Sequence, residues 1–117
     1  MGQKEENWNI ALRKAAHKNA MQHMKQPLAN KDGVKEVEET FISGAVCAKY
    51  ILANKLGGAE LKMHKEQCIN EYLSAFDNID DTLKEVVMLQ FNDGYHWHLL
   101  YGQDYLNETI NIVSEYF

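Results

Sequence analysis

The sequence lacks most of the patterns that assign a chain to a functional class on sight. It contains no H-E-x-x-H or C-x-x-C zinc pattern and no glycine-rich phosphate loop. Its longest apolar runs fall far short of the ~18 to 20 residues that a membrane span needs. The chain begins with the charged "MGQKEEN" instead of a basic segment followed by an apolar one. We therefore expect a cytoplasmic protein that does not insert into membranes.

Cysteine is also scarce, with only Cys47 and Cys68 among 117 residues. Both lie on apolar faces of predicted helices, which favours buried free thiols over a disulfide. Cys68 follows His64 by four residues, so the two side chains can touch on a helix. A thiol in a core stripe is nevertheless unreactive unless it is exposed and its pKa is lowered. We therefore expect no catalytic residue, no enzyme activity and no cofactor.

What the sequence does contain is a composition suited to one globular domain over residues 1–117, with 45% hydrophobic and 25% charged residues. Apolar residues recur at three- and four-residue steps in several segments, which predicts a mainly α bundle of four or five helices. The first helix covers about residues 5–26 and ends at Pro27. Further helices are predicted from Val34 to Gly57, from Leu61 to Phe76 and over residues 104–117.

The segment of residues 86–101 has two interpretations. Thr82 to Glu85 forms a capping-box pattern that predicts a helix entering this segment. Asp93-Gly94 between two runs of strand-forming residues instead suggests a C-terminal β-hairpin packed on helices, which would make the fold α+β. The spacing Phe41-x-x-Gly44 recurs as Phe91-x-x-Gly94, as if the same close helix crossing were used twice. This repetition favours the helix.

Charge is distributed unevenly along the chain. Residues 1–31 carry a net charge of +4, whereas residues 32–117 carry −9, and no Lys or Arg follows Lys84. The chain therefore combines a basic N-terminal helix with an acidic, aromatic C-terminal part over about residues 80–117. Acidic groups interleaved with aromatic ones suit a surface that docks a basic partner.

The first functional hypothesis is an acidic binding protein, an inhibitor or adaptor that occupies a basic surface of a protein partner. In size and charge the chain resembles small acidic proteins of phages and mobile elements, a likeness of type that identifies no residue. We also expect it to form a homo-oligomer. The residues predicted to contact the partner are Asp93, Tyr95, Trp97, Tyr101, Asp104 and Glu108.

Two alternative functions belong to other classes. The basic helix and nearby aromatic residues would bind nucleic acid or a nucleotide weakly, because few cations are available to neutralise phosphates. Its candidate residues are Arg13, Lys14, Lys18 and Lys25. A metal-dependent enzyme would instead use His96 and His98, which a strand would place side by side and a helix would point apart. The first hypothesis expects no metal there.

Overall fold

The described parts of the chain are almost entirely helical. The computed structural model describes residues 2–23, 31–76 and 81–106, and no strand occurs within these ranges. No helix within them is both long enough and apolar enough to cross a lipid bilayer. The helices are α1 (Gln3–His23), α2 (Lys31–Ala53), α3 (Gly58–Ser74), α4 (Asp81–Trp97), a π-helical segment (His98–Gly102) and the short α5 (Gln103–Tyr105).

The four long helices alternate in direction. Glu5 pairs with Lys49 and His17 with Glu38, so α1 and α2 are antiparallel. Ring stacking and hydrogen bonds pair the start of α3 with the end of α2 and the later part of α3 with the middle of α2. They also pair the segment after α4 with the start of α1 and the middle of α4 with the later part of α1. These contacts are Tyr50 with His64, Thr40 with Tyr72, Trp8 with His98 and Asn19 with Gln90. The result is a small bundle in which α2 and α4 point the same way.

α2 and α4 approach so closely at one crossing that neither helix has room for a side chain there. A Cβ on Gly44 would fall within 3.0 Å of the backbone of Phe91, and a Cβ on Gly94 would fall within 3.0 Å of the backbone of Phe41. The two Phe-x-x-Gly motifs therefore face each other at a single crossing. Phe91 and Phe41 are both buried and belong to two core clusters, which this crossing brings together.

Residues 86–101 form a helix, so the prediction of a mainly α bundle is confirmed and the hairpin alternative is wrong. Asn92, Asp93 and Gly94 are poor helix formers, but the close crossing at Gly94 requires a residue without a side chain. Tertiary packing therefore outweighs local helix propensity.

The observed helix ends differ from the predicted ones by a few residues. α1 starts at Gln3, α3 starts at Gly58, and α4 starts at Asp81, which puts Thr82 inside the first turn instead of at the cap. α2 ends where Lys55 adopts a φ of 53° and the Leu56 amide donates a hydrogen bond to the Ile51 carbonyl. This Schellman-type ending turns the chain into α3. Most of the predicted final helix, residues 107–117, lies outside the described residues.

Candidate metal centre

Three side chains that commonly bind metals meet between α2 and α3. His64 and Cys68 are four residues apart on α3, and this spacing places both on one face of the helix. Cys47 faces them from the buried side of α2. The Nε2 atom of His64 lies 3.4 Å from the Sγ atom of Cys68, and the potential donor atoms of all three residues lie within 4.8 Å of one another. The site is therefore a two-cysteine, one-histidine cluster.

The cluster lies in a pocket of about 510 Å³ between the two helices. All three cluster residues line this pocket, and the ring of Tyr50 stacks on that of His64 with centroids 4.4 Å apart and planes 21° apart. The stacking holds the imidazole in place beside the thiols. The other lining residues are Ile42, Ser43, Val46, Glu71, Tyr72, Ala75 and Phe91.

Burial further favours the protonated form of both thiols. Removal from water raises the pKa of Cys47 well above its ordinary range, and a hydrogen bond from this thiol to Cys68 raises it further. Burial also raises the pKa of Cys68, which the hydrogen bond from Cys47 partly offsets. A thiol with a raised pKa is a weak nucleophile, so this arrangement does not favour cysteine catalysis.

One cation acts directly on the buried thiol. The charge of Lys65 favours the thiolate form of Cys47, and burial in turn lowers the pKa of Lys65. The Lys65 ammonium lies 4.0 Å from the centroid of the Tyr95 ring, which holds this charge beside the core. The surroundings of Cys47 therefore contain some of the positive charge that a thiolate needs.

The spacing of the cluster is close to that of a tetrahedral metal site. Zinc bonds of about 2.3 Å to sulfur and about 2.0 Å to nitrogen place two bound donor atoms about 3.5–3.8 Å apart. The 3.4 Å between His64 and Cys68 is near this value, and the donor atom of Cys47 lies within 4.8 Å of both. Thiolate and imidazole donors together select zinc and similar transition metals over magnesium or calcium.

The two histidines of the metal-dependent alternative, His96 and His98, lie in different surroundings. Because residues 86–101 are helical, His96 and His98 point in different directions. His98 is fully buried, and its Nδ1 atom accepts a hydrogen bond of 3.1 Å from the Trp8 indole. His96 is half-buried near Lys65, and burial followed by that charge lowers its pKa. Within the described ranges, the two do not belong to any cluster of three metal-binding side chains.

The residues predicted to contact a partner fall into different environments. Tyr95 is buried in the core, so it packs between helices instead of facing a partner. Trp97 is half-buried against Trp8 and Phe41, with ring centroids 6.2 and 6.4 Å away. Tyr101 and Asp104 are exposed, Asp93 is half-buried, and Glu108 lies outside the described residues. Their role in binding stays a prediction.

The cations predicted to bind nucleic acid are exposed where the structure describes them. Arg13, Lys14 and Lys18 lie on the outer face of α1, while Lys25 lies outside the described residues. The inner face of α1 packs into the bundle at four-residue steps, through Trp8, Leu12, Ala16 and Ala20. The helix is thus a structural part of the bundle with a basic outer side.

Sequence reasoning missed this cluster because Cys47 lies 17 positions before His64 on another helix. The one visible signal was the four-residue spacing of His64 and Cys68 on an apolar stripe. The apolar stripe of the preceding helix also contains a cysteine, Cys47. Considering the two stripes together would have suggested that Cys47 meets His64 and Cys68.

Comparison with known proteins assigns no family to this chain. No protein-family model, curated protein or solved structure matches it. The function is therefore argued from the arrangement of its own side chains.

Proposed function

We propose that this protein binds one transition-metal ion, zinc in the first instance, through Cys47, His64 and Cys68. The observation that supports this proposal is the convergence of three zinc-type donors within 4.8 Å in a pocket.

Charge balance supports the same proposal. Two thiolates and a neutral imidazole offset the two positive charges of the ion, so the loaded site is neutral and suits a partly buried position. Binding must displace the thiol protons, which the raised pKa values of Cys47 and Cys68 hold at neutral pH. The apparent affinity therefore rises with pH, by up to about 100-fold per unit for two displaced protons.

The thiols must also stay reduced to bind the ion. Such cysteines persist in the reducing cytosol and are converted to disulfides in oxidising compartments. A cytoplasmic location is therefore part of the proposal.

Cobalt provides a direct test, because thiolate-bound Co²⁺ gives charge-transfer absorption and tetrahedral Co²⁺ gives strong visible bands. The reduced, metal-free protein is titrated with Co²⁺ and then with Zn²⁺, which should displace the cobalt. We expect one ion per chain. Since the chain has only two cysteines, any sulfur-to-cobalt band identifies Cys47 or Cys68 as a ligand.

Two variants test the ligands, and a third is their control. Cys68→Ala and His64→Gln change half-buried side chains, and both should lose the tetrahedral spectrum while their circular dichroism stays helical. His96→Gln is the matched control, because it removes a half-buried histidine outside the cluster. Absence of sulfur-to-cobalt absorption at saturating Co²⁺ would refute the proposal, as would a spectrum that survives both ligand changes.

One exposed patch favours a second function, in which this acidic protein binds a basic protein partner as an inhibitor or adaptor. Leu100, Tyr101 and Tyr105 are 56%, 60% and 44% exposed at the end of the bundle. Asp104 is exposed beside them, and no Lys or Arg follows Lys84 in the sequence. Aromatic area with nearby carboxylates suits a contact of this kind.

Affinity capture from host cells with Tyr101→Ala and wild-type bait tests the second function. A specific basic protein should be retained by the wild type and lost with the variant. Leu89→Ala is a control with similar exposure, 53%, on α4 and outside the cluster pocket. Capture of another copy of the same chain would support the predicted homo-oligomer. Equal capture by the wild type and by Tyr101→Ala would contradict a role for the patch.

A further inference from the structure

We infer that Cys47 and Cys68 are an oxidisable pair, which a peroxide converts to a reversible disulfide between α2 and α3 in the metal-free protein. The disulfide also closes the site to metal. Its formation depends on the two cysteines, whereas its effect on metal binding rests on the proposed function.

The two thiols already contact each other across the space between the helices. Both cysteines are free, and their sulfur atoms lie within 4.8 Å of each other. The Cys47 thiol donates a hydrogen bond to Cys68. A disulfide needs side chains that point towards each other and sulfur atoms about 2.05 Å apart. Since the hydrogen bond joins the two side chains directly, only the distance has to change.

The surroundings of the pair leave room for this change. The pocket of about 510 Å³ lies between α2 and α3, and both cysteines line it. α3 buries Leu61 near its start, whereas Cys68 lies further along the helix and is half-buried. A movement of this part of α3 towards α2 therefore narrows the pocket and does not compress a close-packed core.

Cys68 is the thiol that a peroxide reaches first, because Cys47 is only 2% exposed. The Cys68 sulfur attacks one peroxide oxygen and the O–O bond breaks. The thiol proton passes to the unprotonated Nε2 atom of His64, 3.4 Å from that sulfur, and then to the departing oxygen. The products are a sulfenic acid on Cys68 and one molecule of alcohol, or of water when the oxidant is hydrogen peroxide.

Cys47 completes the reaction. Its sulfur attacks the Cys68 sulfur and displaces the hydroxyl group, which leaves as water with the Cys47 proton. Two thiols are thereby oxidised to one disulfide while one peroxide is reduced. A dithiol reverses the reaction by exchange. Because a metal binds the thiolate form of cysteine, the oxidised chain lacks both sulfur ligands of the proposed site.

Intact mass tests the disulfide in the reduced, metal-free full chain. After hydrogen peroxide, the monomer should have lost two hydrogen atoms and should take up no alkylating agent until dithiothreitol is added. Cys68→Ser leaves only the buried Cys47 and should keep its mass under the same treatment. A gain of oxygen at Cys68 with Cys47 still open to alkylation, or a disulfide between two chains only, would overturn the inference.

The unfolded chain shows whether the fold brings the pair together. Two cysteines joined by a flexible segment already meet at an effective concentration in the millimolar range. Equilibration with reduced and oxidised glutathione measures this concentration in buffer and in concentrated urea. We expect a value at least roughly tenfold higher in the folded chain. An equal or lower value in buffer would overturn the inference.

His64→Gln tests the path of the proton. Without the imidazole, oxidation should be roughly tenfold slower or more, but the same disulfide should form in the end. His96→Gln, a change of another half-buried histidine, should react at the rate of the wild type. Equal rates for the wild type and His64→Gln would overturn the role given to His64.

Cobalt separates this inference from the proposed function. Bound Co²⁺ should slow the oxidation, and the sulfur-to-cobalt band should disappear as the disulfide forms. Oxidation at one rate with and without bound cobalt would overturn the link to metal binding. A disulfide in a chain that shows no cobalt band refutes metal binding and supports the oxidisable pair. A cobalt band in a chain that forms no internal disulfide does the opposite.

Discussion

The crossing of α2 and α4 gives the most direct test of the fold. Replacing Gly44 with alanine adds one methyl group at a point where its carbon would overlap the carbonyl group of Phe91. The obstacle is backbone, which cannot rotate away as a side chain can. The helices must therefore separate, and the packing around Phe41 and Tyr95 must loosen with them.

The expected cost combines two opposing effects. Alanine stabilises a helix interior by about 1 kcal/mol relative to glycine. Overpacking a tight core typically costs about 1–3 kcal/mol. Because the clash here is with backbone, the packing cost of Gly44→Ala lies at the upper end, about 3 kcal/mol or more. The net loss is then about 2 kcal/mol in the free energy of unfolding, a fall of roughly 10 °C in Tm for a domain of this size.

Denaturant and thermal unfolding of Gly44→Ala, Gly94→Ala and the double variant measure this cost. Because both glycines belong to one crossing, the double variant should lose less than the two single losses added together, since the first methyl already separates the helices. Gly2→Ala is the control, with nothing within 4 Å of its added carbon. If Gly44→Ala unfolds at the Tm of the wild type or above it, the helices do not cross at this point.

Three further perturbations test other parts of the molecule. Burial, followed by the charge of Lys49, lowers the pKa of His98 to about 4 from 6.5, so the unfolded chain binds an extra proton between these values. Stability should therefore fall by about 3 kcal/mol as pH drops from about 6.5 to about 4. His98→Gln should flatten the plot of stability against pH in this window, and an unchanged plot would contradict a buried neutral ring. Trp97→Ala should cost about 2 kcal/mol of stability, less than the same change at a fully buried tryptophan. Measuring partner affinity per folded molecule on this variant separates a role in packing from a role in binding. Duplex DNA binding by α1 should be weak with a log–log salt slope no steeper than about −4, and tight binding at high salt that disappears with Lys14→Glu and Lys18→Glu would refute this.

The fold was largely predictable because it depends on local patterns. Apolar residues at three- and four-residue steps predicted the helices, and the two Phe-x-x-Gly motifs favoured a helix at residues 91–94 against poor local propensity. Sequence could not show that the motifs face each other, because helix pairing depends on the complete packing of the bundle. The π-helical turn at His98–Gly102 was also missed, since no local composition specifies it.

The site was much less predictable than the fold. The spacing of His64 and Cys68 was visible, but their apolar stripe suggested core packing alone. His96 and His98 were candidates only if a strand placed them side by side, whereas the helix observed there points them apart. The relevant neighbour, Cys47, is close only in space.

α3 has a looser hold on the bundle than the other long helices. Leu61 is its only buried residue in the described structure, whereas α2 is packed on several sides. Its amide hydrogens should therefore exchange with solvent through a partial opening that leaves α1, α2 and α4 assembled. An ion held by Cys47 on one side and by His64 and Cys68 on the other would close that route, so α3 would exchange only when the whole protein unfolds.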